Sequence, residues 1–182
     1  VTGGSYSNST YSRGHMCPNG SRNGNTKMQS QTFYVTNQVP QIQDSFNSGI
    51  WSSLEGAVQG IAKSNANEEI YVVTGVAFNK GAESHTINYT SPRDASSQKV
   101  PIPNYFYKLV LRVKTSGTTV TDAVCVAFWF EHKAYTDSYM NYTVSVDEVE
   151  LWTGFDFFVN LPSEIEARCE AEKTSWKAFT SF

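Results

Sequence analysis

The sequence predicts an α+β domain with a mainly antiparallel central sheet and flanking helices. The chain has 182 residues, a length typical of one domain, and 14% of them are aromatic against only 17% charged, a composition typical of folded proteins. Two long β-branched and aromatic segments lie mid-chain, with helical patterns on both sides. No linker interrupts the chain, so residues 1–182 are predicted to form one domain, and no apolar run reaches membrane-spanning length.

The first third of the chain is predicted to contain one strand and one helix. Residues 1–31 are rich in Gly, Ser, Asn and Thr and predict a loop with at most one short strand. Gln31–Thr36 combines aromatic and β-branched residues and predicts a strand. After a turn-rich connection, apolar residues at helical spacing predict a helix over Gly49–Lys63, with Asn47 or Ser48 as its N-cap.

The middle of the chain is predicted to supply the sheet. Glu69–Phe78 is an apolar run that predicts a buried strand, and residues 79–103 form a long polar loop. Asn104–Lys114 and Asp122–Glu131 are long strand-like segments. A turn around Gly117 separates them, which predicts an antiparallel hairpin.

Two helices are predicted near the end of the chain. Ser145–Leu151 indicates a short helix or turn. Ser163–Phe179 is a charged segment that begins just after Pro162, and it predicts a helix with Ser163 as the N-cap.

The charge distribution is uneven. The net charge is −3, which argues against a uniformly basic nucleic-acid binder. Residues 1–63, however, carry four basic and two acidic side chains, whereas residues 64–182 carry ten basic and fifteen acidic ones, many of them between Asp147 and Glu172. We therefore expect a local positive face, with the acidic stretch away from it.

Composition also bears on the compartment. Ser, Thr, Asn and Tyr take the place of charged residues, which favours a secreted, periplasmic or cell-envelope protein. The chain starts at Val1 without a leader, so we expect either that a targeting segment has been removed or that the chain has been cut. The three cysteines, Cys17, Cys125 and Cys169, cannot all pair within one chain, so at least one is free or pairs elsewhere.

Three neighbouring segments concentrate residues able to do chemistry. They are Tyr11–Arg22, Phe33–Gln41 and Asn47–Glu55, which together hold a histidine, amide oxygens, a carboxylate and two arginines. A base, hard oxygen ligands for a cation and positive charge are what metal-assisted phosphodiester hydrolysis requires. Asn47 and Glu55 are eight residues apart, which would put both on one side of a helix that starts at Asn47.

Each residue also has a simpler interpretation. A single histidine such as His15 is most often structural, Asn47 is a natural helix cap, and Glu55 suits a solvated helix face. His85 and His132 lie in a polar loop and beside a strand end, and we predict no catalytic role for either.

The motifs in these segments resemble those of the DNA/RNA non-specific endonuclease family, the sugar-non-specific nucleases with a ββα-metal active site. The family pattern is Asp-Arg-Gly-His, then Phe-Tyr-x-Ser/Thr-Asn-x-x-Pro-Gln, then Asn-x-x-x-Trp-x-x-Leu-Glu. Here the corresponding segments read SRGH, FYVTNQVPQ and NSGIWSSLE. The similarity continues in IPNYFYKLVL and TGFDFFVNLP, so five segments match in the family's order.

The resemblance assigns a role to each motif residue. It implies that His15 is the general base and Asn47 the asparagine that binds the metal. Glu55 matches the carboxylate that orders water at the metal, Arg13 the motif arginine, and Asn37 the supporting asparagine, which we group with the substrate-binding residues.

Two departures from the family pattern stand out. Ser12 takes the place of the motif aspartate, and only 14 residues precede His15, so the family's upstream phosphate-binding arginine has no counterpart in this chain. Arg22 is our candidate for part of that role.

The resemblance implies a Mg²⁺-dependent endonuclease, with Mn²⁺ as a substitute, that cuts DNA and RNA with little sequence preference and leaves 5′-phosphate ends. An alternative is a catalytically impaired nuclease-like domain that binds nucleic acid or another polyanion, and a second is a purely structural α+β domain. The sequence leaves open whether a protein inhibitor or a second copy of the chain is a partner.

Overall fold

The computed structural model describes residues 3–6, 10–64, 68–91 and 98–182. Its strands are β1 (Tyr11–His15), β2 (Gln38–Ile42), β3 (Glu69–Ala77), β4 (Asn88–Tyr89), β5 (Pro101–Ile102), β6 (Tyr105–Ser116), β7 (Thr119–Glu131) and β8 (Thr143–Val144). Its helices are α1 (Thr26–Gln31), α2 (Ser52–Ser64), α3 (Val146–Thr153), α4 (Ser163–Ala171) and α5 (Trp176–Thr180), with short 3₁₀ turns between some elements. The α+β class with antiparallel sheets and flanking helices is confirmed.

The central sheet has the strand order β3-β6-β7-β8, and all of its pairings are antiparallel. The predicted hairpin is confirmed, because β6 and β7 are consecutive and Gly117 between them has φ +61°, a conformation that favours glycine. β1 pairs with β2, and β4 pairs with β5, in two small separate sheets. The second of these lies inside the segment predicted to be a polar loop.

Both faces of the central sheet are covered, because successive side chains of β6 and β7 point to opposite sides. On the first face, Phe106, Val110 and Phe128 pack against α2 and α5. On the second face, Leu109 and Ala127 pack against α3 and α4. The sheet therefore separates α2 from α3 and α4, which positions the functional site described below.

The predicted strand Gln31–Thr36 is wrong. Gln31 ends α1, which Asn25 caps by accepting hydrogen bonds from two backbone amides, and a 3₁₀ turn follows at Val35–Asn37. The aromatic side chains that suggested a strand, Phe33 and Tyr34, are 57% and 60% exposed. The strand that returns alongside β1 is instead β2, a few residues later.

The helix predicted over Gly49–Lys63 begins later, at Ser52. The preceding segment, Gln43–Trp51, is irregular, with non-helical backbone angles at Asp44, Ser45 and Gly49. Asn47 therefore does not cap α2, and Asn47 and Glu55 do not share one continuous helix face, contrary to the prediction.

The helix predicted over Ser163–Phe179 is two helices, α4 and α5. Backbone at Glu172 is extended, and Ser175 caps α5 by accepting from the Ala178 amide. The helix is interrupted because its two parts pack on opposite faces of the sheet. Cys169 packs on the second face and Phe179 on the first, and one straight helix of this length cannot reach both faces. α4 starts after Pro162, and Ser163 is its first residue rather than its cap.

Other predictions need smaller corrections. Ser145 caps α3 in a reciprocal pair with Glu148, as expected for the short helix. β3 was predicted to be buried, but it is an edge strand on which Tyr71 and Val72 are 48% and 45% exposed. Among the described residues, no helix is both long and apolar enough to cross a membrane.

Candidate active site

The site is built from β1, β2 and the chain that continues into α2. In the antiparallel pair, Ser12 lies opposite Gln41 and His15 opposite Gln38. β2 then leads directly through Gln43–Trp51 to α2, so the three elements form a ββα unit. Trp51 is buried and anchors the start of α2 in the core of the first face.

Gly14 allows the two strands to pack closely. A Cβ atom at Gly14 would lie 2.0 Å from Oε1 of Gln41, whose side chain is fully buried. The motif therefore has glycine between Arg13 and His15 for a steric reason, because the Gln41 side chain fills the space that a Cβ atom would occupy.

His15 is half-buried at the end of β1. Its ring meets the edge of the Phe33 ring, with 5.3 Å between the centroids, and among the described residues its enclosed Nε2 has no hydrogen-bond partner. Burial lowers the pKa of His15, and the positive charge of Arg13 lowers it further. Both effects favour the neutral imidazole, which is the form able to accept a proton.

Asn47 is held by two hydrogen bonds. Its Nδ2 donates to Ser12 Oγ at 2.9 Å and to Gln43 Oε1 at 3.1 Å, and the Ser12 hydroxyl donates in turn to the Gln41 carbonyl at 3.3 Å. These bonds occupy the amide nitrogen and fix the orientation of the amide. Among the described residues, no hydrogen bond uses Oδ1. A neutral amide oxygen of this kind is a hard ligand and suits Mg²⁺ or Mn²⁺.

Ser12, at the position of the family's aspartate, contacts both Asn47 and Gln41. A hydroxyl can accept from Asn47 and donate to Gln41 at the same time, whereas an ionised carboxylate can only accept. No local sequence pattern indicates the contact with Asn47, because Ser12 and Asn47 are 35 residues apart.

A cavity of about 700 Å³ opens beyond the end of β1. Met16 and Cys17, which follow His15, line it, whereas His15 and Asn47 are not among its described lining residues. It is bounded by the loop after β1, by α2 and by the first face of β3 and β6. The charged side chains in its wall are Arg22, Glu55, Lys63 and Lys108. Glu55 therefore lines the cavity and does not share a helix face with Asn47.

Lys108 is a buried charged residue of the cavity wall that the sequence did not lead us to expect there. It is 1% exposed, its Nζ donates to Thr74 Oγ1 at 2.6 Å, and it lies 4.7 Å from the centre of the Trp51 ring. Burial lowers its pKa to about 8, against the opposing influence of Glu55. The available signal was a lysine within the apolar run of β6, at a position whose neighbours two residues away face the core.

Glu55 and Lys108 influence each other across the cavity. Burial raises the pKa of Glu55, and the positive charge of Lys108 opposes that rise. The cavity wall therefore holds a carboxylate and an ammonium whose charges support each other.

Asn37 clamps the chain that follows His15. Its Oδ1 accepts from the Cys17 amide at 2.9 Å, and its Nδ2 donates to the carbonyls of Cys17 and Thr32 at 3.0 and 2.9 Å. The Asn37 amide therefore links the backbone after β1 to the backbone after α1.

Arg13 and Arg22 are both exposed, Arg13 beside His15 and Arg22 in the cavity wall. Both are free to reach a polyanion from solvent. The salt dependence of DNA binding tests whether they form the local positive face that the charge distribution predicts.

The remaining histidines lie outside the site, as predicted. His132 accepts from the Ile42 amide through Nε2 and pairs with the Pro103 carbonyl through Nδ1, so it joins the end of β2 to the neighbouring strands. Burial lowers its pKa to about 4. His85 contacts Tyr105 at the start of β6.

The acidic stretch from Asp147 to Glu172 is separated from His15 by the central sheet. Its helices, α3 and α4, pack on the second face, whereas α2 packs on the first. A carboxylate cluster within it (Asp147, Glu150 and Glu170) is therefore not part of the ββα site.

Comparison with known proteins agrees with this architecture. A family profile described as DNA/RNA non-specific endonuclease matches residues 1–164. The chain belongs to this family. It is 29% identical over 178 residues to a nuclease of Nostoc sp. strain PCC 7120, covering 94% of this chain and 59% of that protein. It is 31% identical over 160 residues to nuclease C1 of Cunninghamella echinulata, covering 86% and 60% respectively.

Human mitochondrial nuclease EXOG is 28% identical over 181 residues, covering 97% of this chain and 48% of that protein. The chain thus spans about half to three fifths of the length of these relatives. Among solved structures, a crystal structure of the EndoG/EndoGI complex matches with a TM-score of 0.70 and 23% identity, over 91% of this chain and 66% of that one. That likeness supports the fold.

Proposed function

We propose that this member of the nuclease family is a metal-dependent endonuclease that hydrolyses phosphodiester bonds of DNA and RNA with little sequence preference. The observation that carries the proposal is the pair of hydrogen bonds that fixes the Asn47 amide, on a ββα unit whose first strand ends in His15. This arrangement provides an oriented oxygen ligand and a neutral base within one unit.

In the proposed reaction, His15 accepts a proton from a water molecule that attacks the phosphorus. Its lowered pKa keeps the imidazole neutral at physiological pH. Arg13 stabilises the negative charge that develops on the phosphoryl oxygens, and Glu55 orders water in the adjoining cavity. Because water is the nucleophile, no 2′-hydroxyl is needed, so both DNA and RNA are substrates.

We propose that Asn47 Oδ1 holds Mg²⁺, for which Mn²⁺ can substitute. The metal, when bound, supplies Lewis-acid stabilisation of the phosphate and of the leaving 3′ oxygen. The products then carry 5′-phosphate and 3′-hydroxyl ends. The single neutral protein ligand suits an ion that usually retains several of its waters.

Substrate binding is assigned to Arg22 and, indirectly, to Asn37. Arg22 contacts phosphate from the cavity wall, and Asn37 contributes by holding the Cys17 backbone next to it. Contacts restricted to phosphate and sugar carry no direct sequence information, which accounts for the broad specificity we propose.

Two further parts of the proposal concern the setting. The uncharged polar composition favours a secreted, periplasmic or envelope location. We include a protein inhibitor as a class of partner, because the structurally similar EndoG forms an EndoG/EndoGI complex that concerns EndoG inhibition.

Incubation of supercoiled plasmid and of a long RNA with the protein, in Mg²⁺ or in EDTA, tests the proposal. We expect both substrates to be degraded in Mg²⁺ and to stay intact in EDTA, and end-labelling should find 5′-phosphates. Retarded but uncut plasmid in Mg²⁺ would instead favour the impaired nuclease-like binder. Equal cleavage in EDTA would contradict the metal dependence.

A further inference from the structure

Three carboxylates meet on the second face of the sheet, far from the ββα unit. Asp147 and Glu150 lie one turn apart on α3, and Glu170 lies on the adjacent helix α4. One carboxylate oxygen from each residue lies within 4.8 Å of the other two. Ionised carboxylates repel one another, and either a cation between them or a proton on one of them relieves that repulsion.

Glu170 provides a second and independent observation. The residue is 5% exposed, and its Oε1 is enclosed and has no hydrogen-bond partner among the described residues. The neighbouring Glu150 differs, because its Oε1 accepts from the Phe157 amide at 2.7 Å. A buried carboxylate oxygen without a partner is costly and normally has a ligand or a counter-ion.

The neighbouring titratable groups that shift the pKa of Glu170 are acidic. Burial raises that pKa to about 8, and the neighbouring groups Glu150, Glu166, Cys169 and Asp147 contribute to the rise. Arg168, two residues away, is directed to Asp122 on β7 at 2.5 Å. None of the three clustered carboxylates forms a salt bridge within the described part of the chain.

We propose that Asp147, Glu150 and Glu170 bind a Ca²⁺ ion that ties α3 to α4. Three carboxylates offer the hard, highly charged oxygen set that Ca²⁺ prefers, and the ion coordinates oxygens at about 2.3–2.6 Å with flexible geometry. Ligand oxygens on opposite sides of Ca²⁺ are therefore about 5 Å apart, consistent with the observed span. Mg²⁺ demands about 2.0–2.1 Å and near-octahedral geometry, which helix-fixed carboxylates supply less readily.

This site is structural and separate from catalysis. The central sheet lies between it and Asn47, so ion binding here stabilises the fold without requiring nucleic acid. Its test is therefore independent of whether the chain cleaves phosphodiesters.

The test measures thermal unfolding of chelator-treated protein at pH 7.5, with Ca²⁺ titrated from zero to millimolar concentrations. A ligand that binds only the folded state at about 100 times its Kd stabilises enough to raise the Tm by about 5–10 °C for a chain of this size. Equilibrium dialysis with radioactive Ca²⁺ should find one ion per chain, and Mg²⁺ should give a smaller shift at equal concentration.

Variants assign the effect to the cluster. Glu170→Gln and Asp147→Asn should each remove the Ca²⁺-dependent shift, whereas Glu164→Gln, an exposed carboxylate on the same helix, and Asn47→Ala should retain it. Asp147 is exposed, so its variant remains informative if Glu170→Gln folds poorly. The proposal is overturned if Ca²⁺ leaves the Tm of the wild type unchanged. If, in addition, Glu170→Gln is more stable than the wild type, a proton rather than a metal ion neutralises the cluster.

Discussion

The steric role of Gly14 leads to a prediction whose size follows from the structure. In Gly14→Ala, the new Cβ would lie 2.0, 2.3 and 2.5 Å from three atoms of the Gln41 side chain, whereas ordinary contacts are 3.4–4 Å. Gln41 must therefore move by about 1 Å or more, and it is fully buried, so the movement displaces its neighbours. Overpacking of this kind costs about 1–3 kcal/mol of unfolding free energy.

Urea unfolding and thermal unfolding measure this effect. For a chain of this size, a loss of about 1–3 kcal/mol lowers the Tm by roughly 2–12 °C. The matched control is Gly60→Ala in α2, where nothing lies within 4 Å of the new methyl group. It should gain about 0.5–1 kcal/mol, because alanine favours the helix more than glycine does. If Gly14→Ala unfolds at the same urea concentration as the wild type, the packing argument is wrong.

Three further predictions concern metal, pH and salt. Asn47→Ala should weaken the binding of Mn²⁺, measured by its paramagnetic effect on water relaxation. The free energy of unfolding should fall by about 1–3 kcal/mol, because two side-chain hydrogen bonds are lost. Unchanged Mn²⁺ affinity would place the metal elsewhere. The pKa of His132 is about 4 in the folded chain against 6.5 when unfolded, so this group should lower the free energy of unfolding by roughly 3 kcal/mol as the pH drops from 6.5 to 4. The fall should be smaller in His132→Gln. An equal fall in that variant would refute this assignment. Binding to duplex DNA should weaken with salt, with a slope of about −2 to −4 for two to four phosphate contacts, and no salt dependence would contradict a local positive face.

The sequence predicted elements well where pattern and packing coincide. The hairpin of β6 and β7 is buried on both faces, so its long apolar runs correctly predicted two long strands. The strand at Gln31–Thr36 failed because its aromatic residues lie on the surface, where Phe33 contacts His15. The segment Gln38–Ile42 fell in the predicted turn-rich connection and contains Pro40, yet it forms β2, because a two-stranded sheet leaves an edge on which proline is tolerated.

The candidate site was predictable to a similar extent. Motif spacing identified the segments that carry His15 and Asn47, and the structure gathers those segments into one ββα unit. The hydrogen bonds from Asn47 to Ser12 and from Lys108 to Thr74 depend on tertiary packing. No local pattern shows these two bonds, since each joins residues more than 30 positions apart.

The most direct test of the central claim compares plasmid cleavage by the wild type and by His15→Ala in saturating Mg²⁺. Circular dichroism and urea unfolding first establish that both proteins are folded, and His85→Ala serves as the matched histidine control outside the site. We predict that His15→Ala lowers the cleavage rate by about 10²–10⁴-fold, as expected for loss of a general base, while His85→Ala cleaves at the wild-type rate. A folded His15→Ala protein that cleaves plasmid at close to the wild-type rate would contradict the assignment of His15 as the base.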